Sequence, residues 1–205
     1  MSRTIDYYFS VISPWSYMGH QRFMTLVEKH DLAVDFKPMH LPTLFPQTGG
    51  LPLAKRPPIR QAYRIHEMKR WREFLDIELN LEPKHFPVAE IPASCLLNYA
   101  EDRFADVGAL MLAIFRAVWV EDRDITDADT LRAIMTENGC DPDWVDAAAE
   151  DQEANDRIQR DTAEAFAAGV VGAPGYVFKG EPFWGQDRLD ILDWRLTQDA
   201  AAHAA

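Results

Sequence analysis

Ser13-Pro14-Trp15-Ser16-Tyr17 sets two hydroxyls three residues apart around a proline. Proline lacks an N–H and has a fixed φ, so it suits the first position of a helix and makes Ser13 its cap. A helix amino terminus offers unpaired N–H groups and roughly half a positive charge. Such a place stabilises a thiolate or another anion. Two cysteines at this spacing would exchange disulfides. Two serines cannot, but a serine hydroxyl can donate a hydrogen bond to a thiolate that another molecule brings. Serine is also an ordinary cap, and residue type alone leaves both readings open.

Two further segments carry similar signals. Val171-Gly172-Ala173-Pro174 reads as a tight turn before a strand, the setting in which an X–Pro bond can be cis. A cis bond there would free the Ala173 main chain to pair with an extended peptide, while the plain alternative is an ordinary turn. In Trp184-Gly185-Gln186-Asp187-Arg188 a helix starts directly after a strand. Its free N–H groups suit a carboxylate, and the Asp187 side chain suits an ammonium. An amino-acid headgroup offers both, although Asp187 also reads as a first-turn acid. Trp184 reads as core by residue type and as a site residue by position.

Charge is unevenly spread. Between Lys55 and Arg72 lie seven basic residues opposed only by Glu67, a window of +6 that leaves −18 for the rest. Lys55, Arg56 and Arg60 sit at or before a helix start, placed to draw an anionic substrate into a pocket. Lys69, Arg70 and Arg72 fall near the helix end, on a solvated face. Tyr63 and Trp71 share one helical face and read as core, with Tyr63 kept as a candidate substrate neighbour. Cys95 and Cys140 form no CxxC and read as buried, reduced thiols. The histidines show no metal-ligand spacing, so no metal site is expected.

These groups must be held by the elements around them. Thr4 to Ile12 is dense in aromatic and β-branched residues and reads as a strand. A helix from Trp15 to His30 and a strand from Leu32 to Pro38 complete a β-α-β unit with parallel strands. Leu41 to Pro58 is rich in proline and glycine and reads as a long loop. About five helices follow: one through Tyr63 and Trp71, one through Leu110 and Trp119, Asp127 to Asn138, one opened by Asp141-Pro142, and Ala154 to Ala168. The chain then returns to a hairpin, Gly175 to Phe178 and Glu181 to Trp184, and a final helix from Gln186 to Gln198. The expected class is α/β, a thioredoxin-like fold with a large all-helical insertion. The sheet domain is discontinuous, 1–40 with 169–205, and 41–168 is loop plus helical insertion.

Composition agrees with a globular protein: 205 residues, 47% hydrophobic, 26% charged and a net charge of −12. An acidic chain repels phosphate backbones, which argues against nucleic acid as a partner. The longest apolar run, Ala109 to Phe115, falls far short of the roughly 20 residues that span a bilayer. No signal-peptide design is legible in the first 20 residues, so a cytoplasmic location is expected.

The order of the three segments is more specific than any one of them. FSVISPWSYMG (Phe9 to Gly19), YRIHEMKRW (Tyr63 to Trp71), GVVGAPGYVF (Gly169 to Phe178) and FWGQDRLDIL (Phe183 to Leu192) together resemble the 2-hydroxychromene-2-carboxylate isomerase family. That family is related to kappa-class glutathione transferases within the DsbA-like branch of the thioredoxin superfamily. The resemblance covers nearly the whole chain. It implies glutathione as cofactor, with Ser13 as the catalytic residue at its sulfur. It places Ala173, beside Pro174, against the cysteinyl backbone, and Gln186 and Asp187 at the γ-glutamyl end, with Trp184 adjacent. One departure stands out: Thr48-Gly49-Gly50 has Gly50 where the family commonly carries an asparagine facing the glycyl end. Lys55 or Arg56 is the substitute partner for that carboxylate.

The activity so implied is cis–trans isomerisation between 2-hydroxychromene-2-carboxylate and trans-o-hydroxybenzylidenepyruvate-like aromatic substrates by reversible thiolate addition. Lys55, Arg56, Arg60 and Tyr63 are the candidate substrate residues. Relatives are often homodimers, and a homodimer is expected. The alternatives are a kappa-like glutathione transferase or peroxidase, and a non-enzymatic binding protein on the same scaffold.

Overall fold

A computed structural model describes residues 3–104 and 106–204. Residues 1, 2, 105 and 205, which fall within the segments delimited above, lie outside the described residues. Strand β1 (Arg3–Phe9) leads through α1 (Pro14–His30) to β2 (Leu32–Pro38). Seven helices follow: α2 (Leu41–Thr48), α3 (Pro58–Leu75), α4 (Ile91–Glu101), α5 (Val107–Trp119), α6 (Ala128–Glu137), α7 (Trp144–Glu150) and α8 (Gln152–Ala167). The chain closes with β3 (Gly175–Phe178), β4 (Glu181–Trp184), a 3-10 turn at Gln186–Arg188 and α9 (Leu189–Ala204).

One sheet is built from both ends of the chain, in the order β2-β1-β3-β4. β1 runs parallel to β2, pairing Tyr7 with Phe36, and antiparallel to β3, pairing Tyr7 with Tyr176. The β3–β4 hairpin turns at Lys179-Gly180, both at positive φ, as a two-residue hairpin turn requires. Both faces of the sheet are covered. Ile5, Tyr7 and Phe9 point into the main core, where Tyr7 meets Phe23 and Tyr176 at centroid distances of 4.6 and 5.1 Å. Tyr8 points the other way, into a second cluster with Leu44 of α2 and Ala165 of α8. The main cluster continues without a break from β1 into α4, α5 and α6. The fold is α/β, thioredoxin-like with a helical insertion. Among the described residues no helix is long and apolar enough to cross a membrane.

Several boundaries differ from expectation, each for a physical reason. β1 stops at Phe9, because the Ser13 amide bonds Ser10 O at 3.0 Å and closes a turn over Val11 and Ile12. The expected loop from Leu41 contains α2: Pro42 sits in the first turn, where a missing N–H costs nothing, and Gly49 ends the helix at φ 77°. α4 escapes the sequence pattern because it is enclosed by α5, α7, α8 and β2, and six consecutive residues, Ala93 to Asn98, are buried. Burial on all sides erases the 3.6-residue period. α7 starts at Trp144, two residues late, because Asp141 Oδ1 accepts from the Asp143 amide in a turn before the helix. Ile59 and Phe74 of α3 are each 77% exposed, and Tyr63, expected as core, is 57% exposed. α9 begins after the 3-10 turn, three residues later than the expected start at Gln186, with Leu189, Leu192 and Leu196 all buried.

Two contacts fix the start of α1. Gly19 lies against the turn after β4: a Cβ there would stand 2.7 Å from Gln186 Cβ and 3.0 Å from the Tyr176 hydroxyl. Glu90, at the head of α4, accepts from Ser10 Oγ at 2.5 Å and from the Leu41 amide. It therefore ties the β1–α1 turn to the amino terminus of α2. Its carboxyl is pushed up to about 7 because burial outweighs both hydrogen bonds. His20, inside α1, is pushed down to about 4 by burial and bonds Gly108 O through Nε2, so it is neutral and structural.

Gly19→Ala is expected to destabilise the fold by about 1–3 kcal/mol through overpacking, read as a lower urea midpoint. Glu90 carries a pH signature. Unfolded, it ionises near its ordinary value of about 4.3; folded, it ionises near 7, so stability falls as pH rises between those values. That penalty is of order 3 kcal/mol. Urea titrations of Glu90→Gln at pH 5 and pH 8 are expected to show a smaller pH-dependent loss than the parent protein. An equal loss in both would show that burial of Glu90 does not restrain its ionisation.

Candidate active site

A cavity of about 750 Å³ opens beside the β1–α1 turn. Ser13 lies in its wall, only 5% exposed. It caps α1, its Oγ accepting from the Ser16 amide at 3.2 Å. That bond uses an oxygen lone pair and leaves the hydroxyl proton free to donate. Capping and donation are thus compatible in one hydroxyl. Ser16 is fully buried and does not line the cavity; its Oγ has no partner among the described residues.

The second and third segments line the same cavity. The Ala173–Pro174 peptide is cis. Ala173 is in the wall and Pro174 is not, while Pro174 O accepts from the Gly185 amide at 2.9 Å. Among the described residues no hydrogen bond engages the Ala173 amide or carbonyl. The amides of Gln186 and Asp187 are likewise unbonded among the described residues. The Gln186 side chain is buried against α1, its Oε1 held by Arg22 at 2.8 Å. Asp187 reaches the cavity and pairs with the exposed Arg188 at 3.1 Å. Gly185 has φ 104°, and a Cβ there would stand 2.4 Å from Asp187 Oδ1, so only glycine allows this turn. Trp184 is not core: it is 58% exposed, with its indole over Gly172 at the cavity edge.

The basic segment divides. Arg56 lines the cavity, its Nε donating to Leu51 O at 2.8 Å. Lys55 and Arg60 are exposed and outside it. Tyr63, 57% exposed, and Trp71, half-buried, both face the cavity. Gly50 is also accounted for: a Cβ there would stand 2.3 Å from the ring of Phe45, which lines the cavity. The Phe45 ring takes the space that a side chain at position 50 would need.

Sequence reasoning missed Glu90, Arg64 and Phe86 in the wall. Arg64 belongs to the basic window, but nothing in the spacing separates it from its solvated neighbours. Glu90 and Phe86 fall in a stretch without periodicity, so no sequence signal marks them. Cys95 and Cys140 are both free and buried, away from the cavity. Among the described residues no group of three or more His, Cys, Asp or Glu is placed to hold a metal ion.

Comparison with known proteins gives this geometry a family. The DSBA-like thioredoxin domain matches residues 4–197. The chain is 24% identical to the 2-hydroxychromene-2-carboxylate isomerase of Sphingobium xenophagum, over 94% of this chain and 97% of that protein. It is 26% identical to the enzyme of the same name from Pseudomonas putida, over 92% of each. Glutathione S-transferase kappa 1 of Caenorhabditis elegans is 25% identical over 95% of this chain and 91% of its own. Among solved structures, a 2-hydroxychromene-2-carboxylate isomerase superposes with a TM-score of 0.81 at 23% identity, covering 98% of both chains. The cytosolic disulfide reductase DsbM from Pseudomonas aeruginosa with GSH superposes at 0.71 and 15% identity, covering 98% of this chain and 99% of its own. With the match running from the first strand into the last helix, the chain belongs to the DSBA-like thioredoxin domain family.

Proposed function

We propose that the protein is a glutathione-dependent cis–trans isomerase of the 2-hydroxychromene-2-carboxylate type, acting on aromatic 2-oxo acids with a conjugated double bond. The observation that carries this reading is the convergence on one cavity of a free serine proton, an unbonded Ala173 main chain and an anion-suited turn at Gln186-Asp187. The three fit a tripeptide thiol in order. Ala173 offers one donor and one acceptor to an extended cysteinyl backbone. The unbonded amides at 186 and 187 suit an α-carboxylate, and the Asp187 carboxylate suits an α-ammonium. Arg56, beside the Gly50 loop, is the cation left for the glycyl carboxylate.

When bound, glutathione supplies a nucleophilic thiol whose reversible addition lets the conjugated bond turn, and it is regenerated in each cycle. The protein's part is electrostatic. Ser13 donates its hydroxyl proton toward the sulfur, and the α1 terminus adds its partial positive charge, both favouring the ionised thiol. Gln186 is held still by Arg22, so the turn needs little reordering on binding. The apolar wall of Trp15, Tyr63, Trp71 and Phe86 offers the aromatic substrate a surface to pack against. The cytoplasm, with its glutathione pool, is the compartment this reading requires.

A kappa-like transferase is the second reading, favoured by the C. elegans relative. It would consume thiol, whereas an isomerase leaves thiol constant. Calorimetric titration with reduced glutathione is expected to show binding with proton release near neutral pH, weakened in Ser13→Ala. The same variant is expected to lose about 10²–10³-fold in isomerisation rate, and about 1 kcal/mol of stability from the lost cap. Steady thiol titre during turnover supports the isomerase, and falling titre with an electrophile supports the transferase. No glutathione binding at millimolar concentration would overturn both.

A further inference from the structure

Arg64 is a cation without a counter-ion. It stands in the cavity wall, on α3, half-buried. Its guanidinium lies over the rings of Phe86 and Trp119, 5.4 and 5.9 Å from their centroids. Among the described residues it has neither an ion pair nor a hydrogen bond. The acids of the wall are engaged elsewhere: Glu67 with Arg70, Glu90 with Ser10, and Asp187 with Arg188. Burial, and after it the like charge of Arg56, push Arg64 down to about 10.

A half-buried guanidinium that lies over aromatic faces and makes no hydrogen bond within the protein keeps its forked N–H donors available to a bound anion. Arg matches a carboxylate in two parallel hydrogen bonds. The surrounding surface is aromatic, which suits a flat unsaturated group on the same ligand. We infer that Arg64 is the specificity residue that binds the carboxylate of an aryl-conjugated acid, with the ligand's flat body lying against the cavity's aromatic wall. This deepens the proposed isomerase reading and rests on it for the identity of the substrate. A free carboxylate has two sources here, the substrate and the glycyl end of glutathione. Arg56, fixed beside the Gly50 loop, is placed for the second, which leaves Arg64 for the first.

The test is calorimetric titration of the full-length protein with trans-cinnamate and its neutral isostere cinnamamide, which need no turnover. The parent protein is expected to prefer cinnamate by about tenfold or more, the size of a charge-assisted pair. Arg64→Gln is expected to abolish that preference while cinnamamide and glutathione bind as before. Arg64→Lys, which keeps the charge, is expected to restore part of it. Equal binding of the two ligands by the parent protein would overturn the inference without any variant. Weakened glutathione binding in Arg64→Gln, with cinnamate binding unchanged, would assign Arg64 to the glycyl carboxylate and overturn it too. A cinnamate preference that depends on Arg64, in a protein that turns over no chromene carboxylate, would uphold the subsite and overturn only the isomerase reading.

Discussion

The antiparallel pairing of β1 with β3 is the constraint on which the site depends. Tyr7 and Tyr176 face each other across it, far apart in sequence and buried in one core. Because the strands run in opposite directions, the end of β1 and the start of β3 meet at one end of the sheet. Ser13 follows the first and Ala173 precedes the second. The hairpin then returns the end of β4 to the same end of the sheet, which delivers Gln186 and Asp187. The hydrogen bond from the Gly185 amide to Pro174 O and the close approach of Gly19 to Gln186 then lock the three segments to one another. The helical insertion closes the cavity from the other side, through Arg64, Trp71 and Phe86.

The parts legible in the sequence were those with local causes. β2 and both strands of the hairpin have local alternation and turn chemistry, and their bounds agree with expectation. The Pro14 rule located α1 and its cap. α2 and α4 were illegible for opposite reasons. α2 carries Pro42 in its first turn and Pro46 inside it, and in sequence both look like breakers. α4 is so enclosed that even its polar residues Ser94 and Asn98 are buried, and the sequence offers no clear solvent face. Helix α3 misled in a third way: Tyr63 and Trp71 line the cavity, Ile59 and Phe74 face solvent, and Met68 alone among its residues is fully buried.

The site divides along the same line. Ser13, Ala173, Trp184, Gln186 and Asp187 stand in the wall because short motifs at strand ends carry their own geometry. The basic window marked a region but not its members. Whether an arginine faces a cavity depends on helix phase and on what packs behind it, here Phe86 and Trp119. Those rings come from segments distant in sequence, so Arg56 and Arg64 could not be distinguished from Lys55 and Arg60 by spacing. Gly50 shows how the structure answers a departure: Phe45 fills the volume that a larger residue would need.

The serines at positions 13 and 16 have a consequence for durability. The chain's own thiols, Cys95 and Cys140, are buried away from the cavity, and the cavity-wall position at the start of α1 carries a hydroxyl, which does not climb the sulfur oxidation ladder. On the proposed reading, the vulnerable sulfur belongs to a diffusible molecule. When an oxidant destroys it, the damaged piece dissociates and an intact one replaces it. The lesion is repaired by exchange, and the folded chain outlives many reactive centres.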